Sequence, residues 1–405
     1  MIGPPPGGAR DDAGDSATAV RPGLAASLTV AAVIVVVLAA SGVPSPLYAL
    51  YDRRWGLGTT GSSLVFAAYS IGVVLLLALG PPVVRRVGLR GTLALGLVAV
   101  VLADAVFVGA DQVPAWHSTV PLVVGRVLQG MATGLVNSAG GAALAALSGT
   151  SERSAATAGA AVPTGVALGA VLAGLLAGRA SAALTTPYLA VTVLALVLLA
   201  GVTRLPALGC GPPRPVSPGP PARTGGRSPV LIAAPLAVLT WAAGGVYLAL
   251  GGTLVGHLAP ADGPVLGGLV VLLVQGAGGL TQVVVRARDA RRVGIAAALV
   301  LLLGAVCATV GTAVGSVPLF LSAALLTGIG FGLGFSGSIR TAGRQATPAA
   351  LSRYFLVSYA AMSVAAIGAG ALLESRGPTL TLVWCTAATA MLTLPTVLAG
   401  RRAGL

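Results

Sequence analysis

This sequence predicts an all-α membrane protein, with twelve transmembrane helices arranged as two pseudo-symmetric six-helix bundles. Three observations carry that expectation. The 405-residue chain is 56% hydrophobic and 8% charged, with a mean hydropathy of +0.95, so its natural solvent is lipid rather than water. Twelve apolar stretches of spanning length follow one another with hardly a charge inside them. A Pro/Gly/Arg-rich stretch over 204–228 has too little apolar content to pack, and it divides the stretches six and six.

About 20 apolar residues are needed to cross a hydrocarbon core about 30 Å thick, and lipid obliges each backbone polar group to pair within a helix or a closed barrel. Continuous apolar runs lack the alternation of a barrel strand. Helices are therefore expected over 24–43, 62–83, 91–110, 118–148, 155–178, 186–203, 229–256, 264–285, 293–313, 317–339, 354–373 and 379–399. Residues 1–23 read as a disordered cytoplasmic tail, 24–203 as the first bundle, 204–228 as a cytoplasmic linker, 229–400 as the second bundle and 401–405 as a cytoplasmic tail. The first apolar run is long for the h-region of a signal peptide, and Ser41 to Tyr51 offer no convincing cleavage site, so it is kept as a membrane anchor. Pro44 and Pro46 break this helix near the outer surface, and Tyr48, Tyr51 and Trp55 suit an interfacial aromatic belt.

The formal charge of +14 comes from arginine, because the chain has no lysine. With the amino terminus inside, 19 arginines fall on cytoplasmic segments, while Arg53, Arg54, Arg179 and Arg376 fall outside and Arg126 lies within a span. That bias orients the protein with both termini in the cytoplasm. Nucleic-acid binding is not expected, since the basic residues punctuate helix ends instead of forming a soluble basic face.

Enzymatic classes fare poorly. Without lysine there is no Gly-x-x-x-x-Gly-Lys phosphate loop, and no nucleophile with an adjacent base is visible. His117 and His257 lie near expected outer loops without ligand-spaced companions. Cys210, Cys307 and Cys385 fall in a loop and two distant helices, which indicates neither a disulfide framework nor a zinc site. No cofactor and no metal are expected, and a monomer is the expected state.

A repeat links the two halves. Arg85-Arg86-Val87-Gly88-Leu89 follows the second helix and Arg291-Arg292-Val293-Gly294-Ile295 follows the eighth, at matching places in each half. Duplicated six-helix halves are how many secondary transporters build alternating access, with the solute site between them at the midplane.

The fourth helix carries the most specific polar signal. Arg126, Gln129, Thr133 and Asn137 step by three, four and four residues and so share one helix face. An arginine at bilayer depth costs about 2.5 to 3.5 kcal/mol on insertion scales, so it should face a wet cavity or a partner. A purely structural role, bonding nearby backbone carbonyls, remains open. Asp104 on helix 3 lies at a depth similar to that of Arg126. Pairing of the two would let proton, substrate and arginine compete and so couple transport to protons. The alternative is that Asp104 snorkels outward.

The layout resembles the major facilitator superfamily from about residue 24 onward. Leu122, Arg126, Gln129, Gly130 and Gly134 match its helix 4 pattern Leu-x-x-x-Arg-x-x-Gln-Gly-x-x-x-Gly. Its loop signature after helix 2 is matched by Arg86, Gly88 and Arg90, with Arg85 where the family has an acidic residue and Pro81 in place of the leading glycine. The helix 5 signature associated with proton-driven drug antiporters survives as Gly169 to Gly174 without its proline. The resemblance implies conformational roles for Arg85, Arg86, Gly88, Arg90, Gly169, Gly174 and Gly294. Packing explains the glycines equally well, because Gly165 with Gly169, Gly130 with Gly134 and Gly330 with Gly334 form small-x-x-x-small faces. Pro44-Ser45-Pro46-Leu47-Tyr48 and Val357-Ser358-Tyr359 are similar to stretches of superfamily transporters from high-GC bacteria, which implies a bacterial plasma membrane.

Tyr69, Trp241, Tyr247 and Tyr359 fall in helices 2, 7 and 11, which in this family border the central cavity. An apolar cavity with these few polar groups suits a small amphipathic solute, expected to leave the cell in exchange for protons. Uptake of a small anionic metabolite attracted by Arg126 is the alternative, and a non-transporting sensor on the same scaffold is a third class.

Overall fold

Lipid leaves the backbone no partner but itself, and the regular elements of the computed structural model are helical throughout its described residues, 24–112, 119–148, 151–179, 182–206, 208, 229–286, 288–342 and 348–402. In chain order they are α1 (Leu24–Gly42), α2 (Tyr48–Trp55), α3 (Gly58–Ala110), α4 (Thr119–Ser148), α5 (Ser151–Ala177), α6 (Thr186–Thr203), α7 (Pro229–Leu258), α8 (Gly263–Val285), α9 (Ala290–Ala313), α10 (Val317–Ala342) and α11 (Pro348–Arg402). The tail 1–23, nearly all of the linker, His117 and Cys210 lie outside the described residues.

Among the described residues ten helical segments are long and apolar enough to cross a membrane, and two of them are too long for a single crossing. The 53 residues of α3 would extend about 80 Å at about 1.5 Å per residue, more than twice the hydrocarbon core. Each long helix reverses at one glycine: Gly88 (φ 73°, ψ 175°) in α3 and Gly377 (φ 77°, ψ 174°) in α11. A side chain at either φ would be strained, whereas glycine turns the chain freely. Counting both arms of each long helix, the chain makes the twelve expected crossings.

Pro44 and Pro46 end α1 as expected, and a 3₁₀ turn over Ser45–Leu47 leads into α2. The aromatic belt expectation is overturned for Tyr48 and Tyr51, while Trp55 is partly exposed. Tyr48 and Tyr51 are fully buried, because α2 folds back against the bundle and turns their rings inward.

Glycine sets how closely the helices approach. A Cβ on Gly130 would strike the Tyr69 carbonyl, and one on Gly72 would strike the Val127 carbonyl, so α3 and α4 touch backbone to backbone. Gly169 meets the Ala39 carbonyl of α1 in the same way.

One face of the molecule, here the linker face, carries the reversal at Gly88 and the end of α6, where Arg90 Nη1 donates to Leu205 O at 3.0 Å. In the second half Arg340, at the end of α10, donates through Nη1 to Arg286 O (3.0 Å) and Arg288 O (2.8 Å), serving carbonyls at the end of α8. Asp289 caps α9 by accepting from Arg292 N at 2.9 Å, and the backbone N–H groups of Arg292 and Arg291 hold its carboxyl below the usual range. The repeated Arg-Arg-Val-Gly string takes different places in the two halves: Gly88 is the reversal itself, while Gly294 lies inside α9, packed against Leu236. The reversal before α9 comes earlier, at Arg288 and Asp289, because Asp289 supplies a side-chain cap that the first half lacks.

The halves meet along α5 with α8 and along the first arms of α3 and α11. Gly174 of α5 packs on the Pro264 carbonyl of α8. Thr59 Oγ1 donates to Gly370 O (2.7 Å), Thr60 N donates to Glu374 Oε2 (3.0 Å), and Ser363 Oγ donates to Ser70 Oγ (2.9 Å). These contacts lie in the half of the interface away from the linker face, here the far face.

Candidate functional site

The polar stripe of α4 meets the frayed end of α1. A helix leaves its last four carbonyls without partners, and the Ala40 carbonyl would be served by residue 44, a proline without an N–H. Gln129 Nε2 donates to Ala40 O at 2.9 Å, filling that vacancy. Arg126 Nη1 donates to Ser41 O at 3.0 Å and to Gln129 Oε1 at 3.0 Å, placing the cation at the negative end of the α1 dipole. Three rings enclose the guanidinium, with Cζ 5.8 Å from the centroid of Tyr48, 5.6 Å from Phe66 and 5.2 Å from Tyr69. Each such contact contributes about 0.5 to 2 kcal/mol, more where water is excluded.

Arg126 is 1% exposed, and Gln129 and Thr133 are as deeply buried, whereas Asn137 further along the same face is exposed. Among the described residues the ion pair within 4.0 Å is Arg54 with Asp111, near the far face, so Arg126 is held by carbonyls and rings without a carboxylate. Asp104 neither bonds Arg126 nor snorkels outward. It is 1% exposed, its Oδ2 accepts from Thr192 Oγ1 at 3.2 Å, and its Oδ1 makes no hydrogen bond among the described residues. Gln129 lies beside it and so stands between acid and base. On the same side of the bundle the Tyr51 and Tyr188 hydroxyls are hydrogen-bonded to each other, and Tyr188 stacks on Phe107 with centroids 4.6 Å apart.

Sequence reading missed Tyr48, Phe66, Tyr51 and Tyr188 as members of this cluster. The signal was present in Pro44 and Pro46, since a proline-broken helix leaves carbonyls that attract a buried donor.

A second group of rings spans the boundary between the halves. Tyr69 faces Tyr359 with centroids 6.5 Å apart, and Tyr359 lies 5.0 Å from Trp241. Trp241 in turn contacts Phe331 (5.8 Å) and Phe355 (6.5 Å), neither of which was singled out from sequence. Tyr69, Trp241, Phe331 and Phe355 are each partly exposed. Tyr247 does not join them; it faces Phe320 at 5.9 Å and lines a separate cavity within the second half. Arg85, Arg86 and Arg90 are exposed at the linker face, with Gly88 at the reversal between them.

Residues 30–370 match the family model of the Major Facilitator Superfamily. The chain belongs to the Major Facilitator Superfamily. Solved members of similar fold include the xylose transporter XylE from E. coli in a partially occluded inward open conformation, with a TM-score of 0.72 and 14% identity over 91% of this chain and 97% of that one. The nucleoside transporter NupG, as a D323A mutant, aligns with a TM-score of 0.70 and 12% identity over 93% of this chain and 100% of that one. No curated protein matches in sequence. As a superfamily member the chain is a multi-pass membrane transporter and not an enzyme, a secondary transporter that works by alternating access.

Proposed function

We propose that this transporter exports small amphipathic compounds through a site between its halves, walled by Tyr69 on one side and by Tyr359, Trp241, Phe331 and Phe355 on the other. The observation that carries this reading is the run of rings across the boundary, each partly exposed except the buried Tyr359 that links them, which offers flat apolar area with few polar groups. Asn137, exposed on the buried stripe of α4, supplies an amide for orientation. Burial of Arg126 behind three rings weighs against the anion-uptake reading, because a carboxylate would first have to displace Tyr69 or the α1 carbonyls.

The arginine bias supports a cytoplasmic linker face, and with it cytoplasmic termini, and the likeness of Pro44 to Tyr48 and of Val357 to Tyr359 to stretches of high-GC bacterial transporters supports a bacterial plasma membrane. Closure between Thr59 and Ser70 on the far face then makes this an inward-facing state. Residues 24–203 and 229–400 rock against each other about the boundary, with 204–228 as their tether. The site lies between halves of one chain, so a monomer suffices. Asp104 is the proton carrier in this reading: it is the buried carboxyl beside Gln129, and Gln129 holds Arg126 to α1, so a change of charge at Asp104 reaches Arg126 and, through Tyr69, the rings at the boundary.

The test is flux from proteoliposomes loaded with fluorescent amphipathic compounds, under imposed pH gradients of either sign, with xylose and a nucleoside as comparison solutes. Amphiphile export driven by an inward proton gradient, and lost in Asp104→Asn, is expected. Gradient-independent uptake of xylose or the nucleoside, with no amphiphile flux, would overturn the proposal.

A further inference from the structure

Within the second half, α7, α9, α10 and both arms of α11 enclose a cavity of about 310 Å³, apart from the rings at the boundary and from Arg126. It is roughly twice the ~150 Å³ void that admits benzene in an engineered protein core. The space exists because Ala243, Ala305, Ala308, Ala369 and Ala388 stand where larger side chains would close it. Among the described residues no charged side chain lines it. Two of its three threonines are turned onto backbone: Thr386 Oγ1 donates to Ala305 O (3.0 Å) and shares a 2.8 Å hydrogen bond with Thr309, while Thr389 Oγ1 donates to Cys385 O (2.8 Å). The third, Thr327, lies beside the Tyr247 hydroxyl, which makes no hydrogen bond among the described residues. Apart from that one hydroxyl the wall offers an occupant apolar contact, which selects an uncharged, largely hydrocarbon group.

The depth and mouth of the cavity identify that hydrocarbon more closely. Its lining on the second arm of α11 runs from Leu382 to Leu392, about 15 Å of helix, and Leu382 lies just past the reversal at Gly377 near the far face. The cavity thus extends from near the far face to mid-membrane, the depth of one leaflet's share of a hydrocarbon core about 30 Å thick. Trp384 lines the cavity and is 60% exposed, so the mouth opens sideways toward lipid. We propose that this cavity is a binding site for a single acyl chain of a far-leaflet lipid, entering beside Trp384. A filled site restores the dispersion contacts that the alanines would otherwise lack.

The test uses wild-type protein in two sets of liposomes, one containing a phospholipid with a diazirine near the end of its acyl chain, the other a free fatty acid with the same group. After irradiation, adducts are mapped by peptide mass spectrometry. Adducts on Tyr247 and Ala308, which are 7% and 1% exposed, are expected, since only a chain inside the cavity reaches them. Their appearance in the phospholipid set makes the occupant a lipid tail, and their appearance only in the fatty-acid set makes it a free acyl chain. Labelling confined in both sets to outward residues such as Met391 and Leu394 would overturn the site. Two variants, Ala305→Phe and the milder Ala388→Leu, should each reduce adducts on Tyr247 at least fivefold without changing those on Met391; unchanged Tyr247 labelling in a folded variant would also overturn it.

Discussion

Tyr69 and Tyr359 belong to different halves and face each other with ring centroids 6.5 Å apart and planes inclined by 58°. Tyr69 also covers Arg126, and Tyr359 leans on Trp241, so the buried cation of one half and the indole of the other are joined through two phenols. Rocking of the halves must open or close this gap, which makes it the natural place for a solute to be felt by both.

For any compound that raises the thermal stability of the purified protein, Tyr359→Ala and Trp241→Ala should each weaken half-saturation by roughly twofold to tenfold, the worth of one aromatic contact of about 0.5 to 1.5 kcal/mol. Tyr247→Phe, away from the boundary, should leave it unchanged. Ligand-dependent shifts in Tm measure all three.

Arg126→Ala should lower Tm strongly, because it removes the donor to Ser41 O and leaves a buried carbonyl unpaired, a loss of about 1 to 3 kcal/mol before the ring contacts are counted. Arg126→Lys keeps the charge without the flat guanidinium that lies among three rings while its Nη1 reaches both Ser41 O and Gln129 Oε1, and should recover only part of the loss. Thermal unfolding in detergent distinguishes them, and equal stability of all three proteins would refute a capping role.

Gly130→Ala tests the contact between α3 and α4. Its new methyl would meet the Tyr69 carbonyl, and the helices must separate at about 1 to 3 kcal/mol. Separation also displaces Tyr69 from Arg126, so reduced flux should accompany the lower Tm. Gly141→Ala on the same helix, where a Cβ meets open space, is the control and should be neutral in both assays.

Glu374→Gln should loosen the far face. Glu374 of the second half accepts from Thr60 N at the start of α3, and a neutral amide accepts that hydrogen bond more weakly. Spin labels at Leu57 and Arg376 should show a longer distance distribution in the variant. Wild-type protein should approach the same distribution as falling pH protonates Glu374, and return as pH rises. An identical distance at all pH values would show that this contact does not hold the halves.

Much of the architecture was legible because lipid imposes local rules. A run of apolar residues must be a helix, and Pro44, Gly88 and Gly377 mark ends and reversals by their own backbone chemistry. The α4 stripe was legible for the same reason, since three- and four-residue steps define a helix face without reference to anything else. What that face meets was not. The carbonyls of Ala40 and Ser41 are far from Arg126 in sequence, and the rings of Tyr48 and Tyr51 look amphipathic whether they lie at a membrane surface or under a cation.

Sequence alone determined that this is a twelve-span transporter of two halves with a buried arginine on its fourth crossing, because hydropathy, helical period and breaker residues act within a single segment. Tertiary structure decided that Arg126 bonds the end of α1 in preference to Asp104, that Tyr69 reaches Tyr359 while Tyr247 turns away, and that the second half encloses a cavity. Each of these depends on which helices lie side by side and how closely their glycines let them approach, and in a chain of near-uniform apolarity that information belongs to pairs of segments.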